Sequence, residues 1–142
     1  MNKLAIGIMV VCSLMVTSGA AWCGNNGNGT LTVNGLVWLK DAGCLGYMKW
    51  DSAMSRPKSL AHGQCGLTDN SKIGDWRLPT VDELKAISAY KGQFKNVQIN
   101  YYWSSSTCTR KTFAWRVYMG TGDVDYDSKD FNNYVWPVRA GQ

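Results

Sequence analysis

The run GDWRLPTVDEL, from Gly74 to Leu84, fixes one point of this chain more firmly than any other. Its segment Thr80-Val81-Asp82-Glu83 has the form T-x-x-E. In that form the Thr80 hydroxyl accepts from the backbone N–H of Glu83, and the Glu83 carboxylate reaches back to the N–H of Thr80. Pro79, just ahead, holds the chain extended. Val81, Leu84 and Ile87 then recur at helical spacing as a buried face, while Asp82 and Glu83 suit the positive end of the helix dipole. The adjacent carboxylates are accounted for by capping, so they are not read as an acid–base pair. Trp76 is assigned to the core, and Arg77 is expected to be a buried partner to a loop carbonyl or carboxylate.

Residues 101–139 are rich in Trp, Tyr, Val and Thr and read as β structure. Phe113, Trp115, Val117 and Met119 alternate with Ala114, Arg116 and Tyr118, which predicts a strand with one buried and one exposed face. Gly120-Thr121-Gly122 turns the chain. On the return strand Val124 and Tyr126 share one face, and Asp123, Asp125 and Asp127 share the other. An even-length loop keeps apolar residues opposite apolar ones and sets Arg116 against Asp125 or Asp127. Tyr134, Trp136 and Val138 alternate in a last strand, with Pro137 marking an edge or bulge.

Ahead of the capped helix, LTVNGLVWLK reads as two short strands around Asn34-Gly35, a dipeptide that favours a tight hairpin turn. Trp50 to Ala61 has helical periodicity with Asp51 as N-cap, and Pro57 predicts a kink or break inside it. Residues 63–74 have loop composition, long enough to need an anchor such as Cys65. A strand, two helices and a run of antiparallel strands make an α+β arrangement.

Lys3 followed by an apolar run from Leu4 to Val16 and then small residues is the layout of a secretory signal peptide. Cleavage before Ala21 or before Trp22 fits equally. Trp22 directly before Cys23 argues against lipidation, and the apolar run is shorter than a membrane span needs. The expected organisation is a signal peptide over 1–21, a flexible lead-in over 22–29 (WCGNNGNG) and a single domain over 30–142. Of five cysteines, Cys12 leaves with the signal. The remaining four suggest disulfides in an exported chain, and without a C-x-x-C pair they do not suggest zinc or thioredoxin-like chemistry. The pairing expected is Cys44 with Cys65 and Cys23 with Cys108. The formal net charge of +5 includes Lys3 and is spread along the chain. That pattern speaks against nucleic acid and is compatible with a polyanionic surface polymer.

The ordered set GLVWLKDAGC, CGLTDNSKIGDWRLPTVDEL, YYWSSSTC, FAWRVYMGTGDV and YVWPVR resembles the family named for the C-terminal domain of the Legionella collagen-like adhesin. The likeness runs from about Thr30 to Gly141. It implies a C-type-lectin-like fold, in which a small twisted antiparallel sheet and two helices support ligand-binding loops. The wider fold includes sugar binders, adhesins and formylglycine-generating enzymes, so fold alone does not settle function. The adhesin's own domain is associated with sulfated polysaccharides, as a trimer on a collagen-like stalk. This chain carries no Gly-X-Y repeat.

The E-P-N, Q-P-D and W-N-D triplets of calcium-dependent lectins are absent, and Asp123, Asp125 and Asp127 lack the Gly and Glu of a calcium loop. No metal and no cofactor are therefore expected. His62, the single histidine, has no nucleophile motif to serve, so no catalysis is expected either. Trp38, Trp76, Trp103, Trp115 and Trp136 are assigned to packing. What remains is a binding surface drawn from Arg110, Lys111, Arg116, Tyr118, Asp123, Asp125, Asn132 and Asn133, together with Ser104 to Ser106. Rings, amides and charges on a rigid support are the means of saccharide or peptide recognition. The expectation is a secreted or periplasmic, non-catalytic module for a glycan or surface protein. The alternative is a structural subunit of an envelope or pilus-associated assembly.

Overall fold

The computed structural model describes residues 23–141; the proposed signal peptide and its cleavage point lie outside them. The strands β1 (Cys23–Asn25), β2 (Thr30–Val33) and β3 (Leu36–Leu39) begin the fold. They are followed by β4 (Tyr47–Lys49), α1 (Trp50–Ser55) and α2 (Val81–Ser88). Then come β5 (Tyr101–Thr107), β6 (Phe113–Tyr118), β7 (Asp123–Ser128), β8 (Asn132–Tyr134) and β9 (Val138–Ala140). The fold is α+β and C-type-lectin-like, with the strands divided between two sheets of order β1-β2-β3-β9 and β4-β8-β5-β6-β7. Among the named strands every pairing is antiparallel except that of β5 with β8.

Asn34 and Gly35 both take positive φ, which is what a two-residue hairpin requires, and they place Val33 opposite Leu36. Two expectations for the first half need correction. Cys23–Asn25 is not a loose lead-in, because its backbone pairs with Leu31–Val33 and becomes an edge strand. The N-cap of α1 is Lys49, with Asp51 inside the first turn. Pro57 acts as expected: α1 ends at Ser55 and the chain tightens into a 3-10 turn over Arg56–Ser59. There proline's missing N–H costs little. The anticipated anchor of the long loop is present as a Cys44–Cys65 disulfide.

The reciprocal cap at α2 forms as the sequence specifies, with the Thr80 hydroxyl accepting from Glu83 N–H and the Glu83 carboxylate accepting from Thr80 N–H. Arg77 donates to both oxygens of that carboxylate at 2.8 Å, although its side chain stays 44% exposed rather than buried. Arg77 and Val138 also exchange both of their backbone hydrogen bonds. The two most recognisable motifs of the chain, W-R-L-P-T and W-P-V-R, therefore meet and join the two halves of the fold.

Trp38, Trp76, Tyr102, Val117, Met119 and Trp136 form the main core with Leu84 and Ile87 of α2. Trp136 donates its indole N–H to Leu39 O, and Tyr102 donates its hydroxyl to Ala42 O. Burial, above all, pushes the Tyr102 phenol up to about 12. A second cluster of Ala53, Leu78, Trp103, Ala114 and Val135 packs beneath α1. The central sheet is thus covered on both faces, since the neighbours Tyr102 and Trp103 enter different clusters. For the same reason β6 does not have one buried and one exposed face: Ala114 and Val117, on opposite faces, are both fully buried.

The expected final strand is two short ones. Tyr134 belongs to β8 and Val138 to β9, and the chain passes from one sheet to the other through buried Val135, Trp136 and Pro137. The Cys23–Cys108 bridge is not formed. Cys23 lies on the edge strand of the first sheet, whereas Cys108 follows β5 in the second and is a free thiol.

Candidate ligand-binding surface

The β6–β7 hairpin carries the candidate surface, and its register follows from the even-length loop. Val117 pairs with Val124, Arg116 with Asp125 and Trp115 with Tyr126. Arg116 donates to Asp125 Oδ2 at 3.0 Å and to Asp127 Oδ2 at 2.5 Å. The Asn133 side chain reaches the same centre, accepting from Arg116 and donating to Asp127. The guanidinium also stacks 3.8 Å from the Tyr101 ring centroid, and that ring packs on Tyr118. Burial alone would raise the Asp125 carboxyl, but the Tyr126 backbone N–H and Arg116 outweigh it and hold the group below the usual carboxylate range.

Arg116, Asp125 and Asn133 are therefore drawn together into an internal network that leaves Asn133 only 2% exposed. The remaining expected residues share none of its hydrogen bonds, and of them Tyr118 alone borders it, through the Tyr101 ring. Tyr118 and Asp123 sit by the β6–β7 turn, where the Thr121 hydroxyl donates to Asp123. Asn132 is exposed on β8, opposite Lys49. Ser104 is buried and donates to Trp115 O, and Ser106 accepts from Val81 N–H, which ties β5 to the start of α2.

Arg110 and Lys111 stand apart at the other end of the hairpin, exposed in the loop between β5 and β6. Sequence reasoning missed their companion Lys129, whose backbone N–H donates to Thr112 O, one residue from Lys111. Its ammonium lies 4.0 Å from the Trp50 ring centroid. None of these three cations forms an ion pair among the described residues. The nearby Cys108 thiol is pushed up by burial, while the Lys129 charge pulls it down.

Sequence reasoning also put Trp115 in the core, and the structure corrects this. Trp115 is only partly buried and meets the ring of Tyr126 edge-on at 5.6 Å. Tyr126 is 55% exposed. The alternation was legible, but β7 is an edge strand, and the core beneath α2 takes in Val117 without reaching these rings.

A family model described as Lcl C-terminal domain matches residues 30–139, a span that leaves out β1 but runs from the start of β2 into β9 and holds both helices and the motif contacts. The chain belongs to the Lcl C-terminal domain family. No curated protein matches it. Among the described residues of this family member, no group of three or more His, Cys, Asp or Glu side chains is placed to hold a metal ion. His62 is engaged locally, its Nδ1 accepting from Asn70 N–H.

Proposed function

We propose that this Lcl C-terminal domain is an exported, non-catalytic binding module for an acidic glycan. The observation that carries the reading is the group Arg110, Lys111 and Lys129 at one end of the β5–β6–β7 sheet, unneutralised by any carboxylate partner among the described residues. By contrast Arg77, Arg116 and Arg139 are all paired internally. Cations left without partners on a rigid support attract an anionic polymer, and their attraction weakens as salt screens it. The disulfide and the signal-like N-terminus support export. The association of the Legionella adhesin domain with sulfated polysaccharides agrees with this ligand class.

Glycan-array binding by purified protein, followed by heparin-column elution at two salt concentrations, tests the reading. Retention that falls with salt and is weakened in Arg110→Ala/Lys111→Ala supports it. Absence of carbohydrate binding together with copurification of an envelope complex would favour a structural subunit instead.

A further inference from the structure

A strip of rings runs directly away from the basic end of the hairpin. The Arg110 guanidinium lies 5.1 Å from the Phe113 ring centroid. Phe113 meets Tyr126 at 5.9 Å and an interplanar angle of 75°, and Tyr126 meets Trp115 at 5.6 Å and 90°. Alternation places Phe113, Trp115 and Val117 on one face of β6. Val117 is sealed under α2 in the core, whereas Tyr126 stands 55% exposed on the edge strand. The edge-to-face contacts hold the Tyr126 ring in place while leaving much of its surface to solvent. Such a ring presents apolar area at a low cost in conformational entropy.

We propose that Phe113, Trp115 and Tyr126 form a subsite for the apolar faces of pyranose rings, making the ligand an acidic polysaccharide held by ring packing as well as by charge. This rests on the acidic-glycan reading above and narrows it. The C–H face of a pyranose packs on an aromatic ring, while its sulfates or carboxylates reach Arg110 and Lys111 beside the same strip. A polyanion without rings, such as inorganic polyphosphate, engages only the cations. The subsite therefore separates the two ligand classes.

Titrating wild type, Tyr126→Ala, Tyr126→Phe and Arg110→Ala/Lys111→Ala with heparin and with polyphosphate tests this, with thermal melts reporting that each variant is folded. Tyr126→Ala should bind heparin roughly two- to tenfold more weakly and polyphosphate unchanged, and Tyr126→Phe should restore heparin affinity. Losing Arg110 and Lys111 should weaken both ligands. If Tyr126→Ala left heparin affinity intact while the double variant lost it, the ring subsite would fall and the acidic-glycan reading would stand. Equal weakening of both ligands by Tyr126→Ala would also overturn the subsite. Failure of wild type to bind heparin at all would overturn both.

Discussion

Arg139 Nη2 lies 3.2 Å from Asp69 Oδ2, across seventy residues of chain. The Asp69 side chain is enclosed, and the Arg139 guanidinium packs 5.3 Å from the Trp76 ring centroid. The pair closes the long loop after α1 onto the last strand, beside the meeting of Arg77 with Val138. Removing one member leaves the other's charge enclosed without its partner. Arg139→Ala and Asp69→Ala are therefore each expected to lower stability by about 3–5 kcal/mol, read as a shift of the urea midpoint.

Acid should weaken the fold through the same pair and two others. Burial raises the Asp69 carboxyl, but the Ser71 hydroxyl and N–H, together with Arg139, more than offset it and leave the group below its ordinary value. Glu83 is lowered chiefly by Arg77, helped by Thr80 and opposed by burial. Asp125 is lowered in the folded state as described above. A carboxyl lowered on folding contributes stability that is complete above its unfolded value, near 4. That stability is lost as pH falls through the folded value. Urea midpoints should thus be level from neutrality to about pH 5 and drop below it, with a shallower drop in Asp69→Asn.

The cap on α2 offers a graded test. Thr80→Ala removes one hydroxyl acceptor and is expected to cost about 1 kcal/mol. Glu83→Ala should cost more, because it strips acceptors from both Arg77 and the Thr80 N–H. A larger loss for Thr80→Ala than for Glu83→Ala, measured by denaturant titration, would contradict the shared role of this carboxylate.

The Cys44–Cys65 bridge spans a sequence separation of 21 residues, so opening it should cost about 3 kcal/mol. Cys44→Ser/Cys65→Ser should melt well below wild type, and Cys108→Ser should melt close to it, because Cys108 closes no loop. Mass mapping of a bridge to Cys108 would contradict the structure.

Local chemistry made much of this fold legible. The Thr80 cap, the Asn34-Gly35 turn, the break at Pro57 and the register of Arg116 on Asp125 each follow from interactions within a few residues or across one turn. What could not be read depends on contacts distant in sequence. The residues Cys23–Asn25 have weak strand character alone and become a strand because β2 is there to pair with them. The alternation of Tyr134, Trp136 and Val138 looks like one strand, yet the chain changes sheets between them. The candidate surface divides the same way. Arg116 and Asn133 look available in sequence, but folding consumes them in one network. Lys129 looks unremarkable until the backbone sets it beside Thr112 and Trp50.

The most direct measurement of the binding account is heparin affinity over a series of salt concentrations for wild type and Arg110→Ala/Lys111→Ala. Wild-type affinity should fall steadily as salt rises, and the double variant should start weaker and show a shallower salt dependence. Identical curves for the two proteins, both well folded, would contradict the assignment of the ligand to this end of the sheet.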